Sequence, residues 1–373
     1  MNPFITLNTE ENDVLSFTIS GVNVSLANAI RRTILSDIPL IVFKTTPYEE
    51  NKSNIIKNTS RLNNEIIKQR LSCIPIHIKD FEGFPYKNYL LEVNVENNTD
   101  DILYVTTKDF MIKDITTGKY IDESKRSEIF PSNSYTGYYI DFVRLRPKIS
   151  DEIPGEVLHL TCEFSVGTAK EDGMFNIVST CSYGFTLDED AKNSVLAKKQ
   201  QEWKNEGKNA EEIEFESQNW SLLDGMRITK QDSFDFVVQS IGIYTNNEIL
   251  DKACDILIMK LNDLDVLIEK DELKIINSLN TMNNCFDIIL ENEDYTIGKV
   301  IEYMLYAKFY ETKILKFCGF KKMHPHDSDS IIRVAYTDAI DKSTIKGNLK
   351  ECIDGAKNIY LKIKKEFLKL LKN

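Results

Sequence analysis

The sequence predicts an α+β protein in which two strand-and-helix halves of one kind dimerise within a single chain, the first carrying an inserted β-rich domain. Three observations carry this: a repeat at an offset of 271 residues, two long helices with apolar residues at 3.5-residue spacing, and very unequal lengths of chain inside the two copies.

In the repeat, Leu15 to Leu35 (LSFTISGVNVSLANAIRRTIL) aligns without a gap on Phe286 to Tyr306 (FDIILENEDYTIGKVIEYMLY). Each copy opens with alternating apolar residues, Leu15, Phe17, Ile19 and Phe286, Ile288, Leu290, the period of a strand with one buried face. Ser25 and Thr296 then stand where a hydroxyl would cap a helix. In the short helices that follow, Leu26, Ala29, Ile30, Thr33 and Ile34 form one core stripe, and Ile297, Val300, Ile301, Met304 and Leu305 form the other. Further along, Phe234, Phe236 and Val238 precede a helix near Glu248, and Ile332 and Val334 precede one near Ser343. Leu250, Cys254, Leu257, Leu261, Leu264 and Ile268 line the first long helix. Leu349, Ile353, Ala356, Tyr360, Ile363, Phe367 and Leu370 line the second. Both rows are narrow seams that need a helical partner, so the simplest expectation is that they pack on each other.

About 25 residues separate the short helix from the next matching strand in the second copy (Ala307 to Ser330), against nearly 200 in the first (Ser36 to Ser233). The excess reads as an insert with strands near Tyr89–Val95, Ile102–Thr106, Tyr138–Leu145 and Val157–Val166. The expected boundaries are 1–40 with 230–270 for the first half, 41–229 for the insert and 283–373 for the second half. Asp188 to Gln218, dense in Lys, Glu, Gln and Asn around Trp203, reads as a solvated helix or a partly mobile excursion.

The chain has 373 residues and a net charge of −12, with 42% hydrophobic and 28% charged residues, a globular composition. An acidic balance argues against gripping nucleic acid through its own phosphate contacts. No apolar run approaches a membrane span, and Met1, Asn2, Pro3 and Phe4 lack the start of a signal peptide, so an intracellular, reducing compartment is expected. The seven cysteines, odd in number and at least 19 positions apart, suit reduced structural thiols better than disulfides or a Cys-x-x-Cys zinc site. His324 and His326 flank Pro325 before Asp327 and Asp329. No Cys or further His completes a metal shell there. The carboxylate groups Asp188, Glu189, Asp190 and Asp263, Asp265 lack a phosphate-cradling loop, and four histidines assemble no hydrolase triad. The basic final helix, with nine lysines against three acids from Lys342, reads as a solvated face behind an apolar seam. Isoleucine outnumbers alanine 44 to 11, the mark of an AT-rich coding genome.

The run SLANAIRRTILSDIP (Ser25 to Pro39) resembles the signature helix of alpha-type subunits of cellular RNA polymerases. NTSRLNNEIIKQRLSCIP (Asn58 to Pro75) is similar to the second signature of the third subunit of RNA polymerase II, with Glu65, Arg70 and Pro75 at matching points. EDYTIGKVIEYML (Glu293 to Leu305) and GFKKMHPHDSDSIIRV (Gly319 to Val334) resemble the eleventh subunit, its smaller alpha-like partner. The resemblance implies a fusion of the two types, as large DNA viruses make, acting as a non-catalytic assembly platform with no cofactor. It implies docking to the two large catalytic subunits through Asn28, Arg31, Arg32, Leu35, Glu65 and Arg70, with small polymerase subunits as further partners and DNA touched only indirectly. It implies no membrane, and, for a virus, residence in the host's cytoplasmic virus factory and the virion. The intramolecular dimer seam would be Leu250, Leu257, Leu261 and Leu264 against Leu349, Ile353, Tyr360, Ile363 and Phe367. The zinc-holding four-cysteine loop of the third subunit is missing, since Ile76 to Val95 has no cysteine. Glu302 and Tyr303 replace Arg31 and Arg32 in the second copy, giving the two outer faces different chemistry. The competing readings are a stand-alone dimerisation or adaptor protein with this fold and, with no aspartate-rich metal signature to support it, a stand-alone nucleotidyl-transfer enzyme.

Overall fold

The computed structural model describes residues 1–11, 13–80, 83–150, 152–279 and 282–370, the side chains of Asn8 and Leu370 excepted. The chain begins β1 (Phe4–Glu11), β2 (Val14–Ser20), α1 (Val24–Ser36), β3 (Leu40–Val42), β4 (Ser53–Asn58), α2 (Asn64–Ser72), β5 (Tyr89–Glu96), β6 (Leu103–Thr106) and β7 (Met111–Asp114). It continues α3 (Glu123–Ile129), β8 (Asp141–Leu145), β9 (Val157–Glu163), β10 (Ser165–Gly167), β11 (Val178–Leu187), α4 (Glu189–Asn205), α5 (Ala210–Leu222), β12 (Thr229–Ser240) and α6 (Asn246–Glu269). The last elements are β13 (Ile275–Asn277), β14 (Cys285–Leu290), α7 (Tyr295–Leu305), β15 (Leu315–Lys321), β16 (Ser330–Tyr336) and α8 (Lys342–Leu370).

Two units divide the chain, the first holding residues 1–34, 180–239 and 246–373, the second residues 35–179 and 240–245. The first is built on two four-stranded sheets of the same order, β1–β2–β12–β11 and β13–β14–β16–β15. In each, the second strand leads into a short helix (α1, α7) and the third into a long one (α6, α8). Antiparallel register sets Leu15, Phe17 and Ile19 opposite Val238, Phe236 and Phe234, and Phe286 and Ile288 opposite Val334 and Ile332. These alternating residues supply the buried face of each sheet, except Phe286, which is half-buried. Phe17 stacks on Phe236 at 5.2 Å and meets Phe367 of α8 edge-on at 5.8 Å, so the final helix closes over the first sheet. Where α7 starts, a Cβ on Gly298 would lie 2.0 Å from the Phe320 ring of β15, and only glycine allows the helix so near.

The second unit places the sheet β4–β9–β5–β7 and the pairs β6–β8 and β10–β3 around a core containing Phe43, Phe110, Phe130, Phe142 and Phe164. Phe110 meets Phe130 and Phe142 edge-on at 5.3 and 5.2 Å. The short return at 240–245 buries Tyr244, whose hydroxyl donates to the Pro39 carbonyl at 3.2 Å.

β11, which lies within the 41–229 read from sequence as the insert, pairs with β12 in the sheet of the first unit. The charged segment after Asp188 is ordered as the hairpin α4–α5, in which no residue is buried. Both helices are capped, by Asp188 on the Ala191 N–H and by Asn209 on the Glu212 N–H, and Gln200 of α4 donates to the Ser217 hydroxyl of α5 at 3.0 Å. His324 and His326 lie in the turn between β15 and β16.

Candidate functional site

The short helix α1 buries Leu26, Ala29, Ile30, Thr33 and Ile34 and leaves Asn28, Arg31, Arg32 and Leu35 half-buried on the other side. Its cap is Asn23 rather than Ser25: the Asn23 side-chain oxygen accepts from the Ser25 N–H at 2.9 Å. Asp294 does the same for the Thr296 N–H at 2.9 Å, so Thr296 is not the cap of α7 either. Asn23 and Asp294 stand 271 positions apart, at matching places in the repeat. An amide or carboxylate two residues upstream reaches the free N–H, which leaves the hydroxyl available for other bonds.

Thr296 uses that hydroxyl to accept from Arg32 Nε at 3.0 Å, while an Arg32 terminal nitrogen pairs with Asp294 at 2.8 Å. The Arg32 fork is thus engaged within the chain, on the capped start of α7. Arg31 donates to Asn28 Oδ1 at 2.9 Å and lies near Cys181 and Tyr183 of β11. Burial pushes the Cys181 thiol up to about 12, the Arg31 charge opposing it. At the equivalent place in the second copy, Glu302 accepts from the Phe320 N–H at 2.9 Å and pairs with Lys299 at 2.5 Å.

In the second unit, Asn63 caps α2 by accepting from the Ile66 N–H. Glu65 is exposed and pairs with Lys68 at 3.5 Å. Arg70 sets its fork on the backbone of β8, donating to the Phe142 carbonyl at 2.7 Å and the Asp141 carbonyl at 2.8 Å. It ties α2 to that strand, a role its sequence position did not disclose.

The long helices α6 and α8 pack on each other, and Leu250, Leu257, Leu261, Leu264, Leu349, Ile353, Tyr360, Ile363 and Phe367 are all buried. The side chain of Leu370 lies outside the described residues. Beside them runs a ladder of ion pairs: Lys364 to Asp251 and Asp255 at 3.0 and 2.7 Å, Lys357 to Asp265 at 3.2 Å, Lys350 to Glu269 at 2.8 Å, and Lys346 to Asp271 just past the end of α6. The final helix therefore does not turn all its lysines to solvent, and Asp265 is not a free surface acid. Burial lowers the Lys364 pKa, but its hydrogen bonds to Asp255 and Asp251 outweigh this and hold it above the ordinary lysine value. The seven-residue spacing of Lys350, Lys357 and Lys364 was the signal, since residues flanking a heptad seam meet the partner helix. Among the described residues, no three His, Cys, Asp or Glu side chains are grouped to hold a metal ion, and no helix is long and apolar enough to cross a membrane.

A pair of matched strand-and-short-helix units, each ending in a long helix that packs on the other, defines a dimerisation fold. The family model of the RNA polymerase Rpb3/Rpb11 dimerisation domain matches residues 16–261, and the chain belongs to that family. Among curated relatives, the chain is 27% identical over 303 residues to DNA-directed RNA polymerases I and III subunit rpac1 of Dictyostelium discoideum, covering 71% of this chain and 82% of that one. It is 24% identical over 284 residues to DNA-directed RNA polymerase subunit Rpo3 of Picrophilus torridus, covering 68% and 95%. The match to the mouse RPAC1 subunit is 25% over 194 residues and spans about half of each chain, 46% and 51%. The protein is an Rpb3/RPAC1-type subunit of a DNA-directed RNA polymerase with a role in dimerisation and assembly.

Proposed function

We propose that the chain is a fused assembly platform, with residues 1–40 and 230–270 as the third-subunit-type half, 41–229 as its insert and 283–373 as the eleventh-subunit-type half. The observation that carries this is the shared strand order of the two four-stranded sheets, each with its short and long helix at the same places, although the family match ends at residue 261. Joining the halves makes their pairing intramolecular, at an effective concentration on the order of mM. Such a platform is preassembled before any large subunit arrives.

Asn28, Arg31 and Leu35 on the outer side of α1 dock the beta-type catalytic subunit, with Arg32 fixing α1 against α7 at the edge of that face. Glu65 contributes a further docking group, and Arg70 acts by holding α2 in place. The second copy presents Glu302 and Tyr303 to the largest subunit, and this difference sets the order of the two partners. Small polymerase subunits complete the assembly. The isoleucine-rich composition and the fusion favour the polymerase of a large DNA virus.

Co-expression with each large subunit separately tests the reading. Arg31→Glu should weaken the beta-type contact by about 2 to 5 kcal/mol, as a desolvated charge reversal does, and leave the other contact intact. Equal retention of the beta-type subunit by wild type and variant would overturn the assignment of this face.

A further inference from the structure

The chain carries nine arginines in an excess of acid that leaves it at −12, yet four of the nine, Arg61, Arg70, Arg144 and Arg146, line a single cavity of about 540 Å³ in the second unit. Leu62 and Ile102 supply apolar lining, and Ile102 is 55% exposed. The volume falls in the range of ligand-sized clefts.

Two of the arginines are fixed in place. Arg70 is held by the Asp141 and Phe142 carbonyls at 2.8 and 2.7 Å, and Arg146 Nε by the buried Glu156 at 2.5 Å. Glu156 also accepts from the Arg146 backbone N–H at 2.7 Å. Arg144, opposite Tyr104 across the β6–β8 pair, lies over that ring at 5.0 Å. Counting Asp141 and Glu156 against the four guanidiniums, the cleft remains net positive. It combines guanidinium charge with an apolar lining, which is the complement of a peptide that mixes carboxylates with aliphatic side chains.

We propose that this cleft docks an acidic, aliphatic-bearing segment of a partner polypeptide, with Arg61 and Arg144 making the carboxylate contacts. A nucleic-acid strand fits less well. The Tyr104 face that a base would stack on already carries Arg144, the apolar lining is aliphatic apart from Phe142, and the chain as a whole repels phosphate. The proposal rests on the platform reading for a partner polypeptide, but its test needs no polymerase subunit, so the two fail separately.

The test presents the full chain with an immobilised array of decapeptides graded in Glu and Leu content, matching peptides with Lys in place of Glu, and a single-stranded RNA decamer. Wild type is expected to retain the Glu–Leu peptides about tenfold more than their Lys counterparts, and Arg61→Glu with Arg144→Glu should abolish the preference. Arg61→Gln with Arg144→Gln, checked by circular dichroism, serves where the double reversal disturbs folding. No acidic preference, an unchanged preference in the folded variants, or preferential capture of the RNA would overturn the proposal.

Discussion

Reversing the charge of Arg32 should destabilise the dimerisation unit, and the size of the effect follows from the geometry. Arg32 makes one charge-assisted bond to Asp294 at 2.8 Å and one to the neutral Thr296 hydroxyl at 3.0 Å, its side chain 31% exposed and that of Asp294 25%. A bond to a charged group contributes about 1.5–3 kcal/mol and a neutral one about 1. Solvent screening reduces the first, so Arg32→Ala should cost about 2 kcal/mol in all. Arg32→Glu also sets a second carboxylate against Asp294. Two like charges 4 Å apart repel by about 4 kcal/mol at an effective dielectric near 20, and exposure reduces this to about 1–2. The total is about 3–4 kcal/mol, against less than about 0.5 for a charge change on open surface. Urea unfolding followed by circular dichroism measures it. Asp294→Asn keeps the cap on α7 while removing the charge, so a cycle of Arg32→Ala with Asp294→Asn isolates the ion pair, with an expected coupling of about 1 kcal/mol. An Arg32→Glu protein within about 0.5 kcal/mol of wild type would refute the reasoning.

Leu257 and Tyr360 are both fully buried, so Leu257→Asp or Tyr360→Asp places an unpaired carboxylate in the helix seam and should cost several kcal/mol; limited proteolysis between Leu267 and Met282 should then be faster than in wild type, and unchanged cleavage would count against the packing. The pKa of Lys364 is raised in the fold, so the stability its ion pairs contribute is complete below the unfolded lysine value of about 10.4 and is lost as pH rises through the folded value. Lys364→Gln should therefore be less stable than wild type at pH near 8 and lose less of its stability between about pH 10 and 12, as thermal melts would record. Thiol labelling at neutral pH should modify Cys73, the exposed cysteine, first. Burial pushes Cys254, Cys318 and Cys352 up to about 12, so these should react only on unfolding, and rapid labelling of Cys254 in the native chain would contradict the packing of α6 on α8.

The elements of this protein were legible in its sequence wherever a face repeats with the period of its backbone. Alternation at Leu15, Phe17 and Ile19 marks β2, and the rows of Leu250 to Ile268 and Leu349 to Phe367 mark α6 and α8, because which residues share a face depends only on local geometry. The 271-residue offset reached further, since two copies of one pattern must solve one packing problem in the same way, and both sheets have the same strand order. In the insert, the four expected strand regions contain β5, β6, β8, β9 and β10, while α2, α3 and the short strands β4 and β7 lack a strong enough period to stand out.

What the sequence could not determine was which polar group meets which. Asn23 and Asp294, not the hydroxyls two residues later, cap the short helices, because the choice among neighbouring polar side chains depends on the angle at which the chain enters the helix. Arg32 finds Asp294 262 residues away, the lysines of α8 find the acids of α6, and Arg61 and Arg70 meet Arg144 and Arg146 of a distant stretch of chain at one cleft. A hydrophobic stripe needs only some apolar surface to cover it and so can be read from one segment. An ion pair or a fork of hydrogen bonds needs a particular atom within about 3 Å, and that distance exists only once the elements have packed.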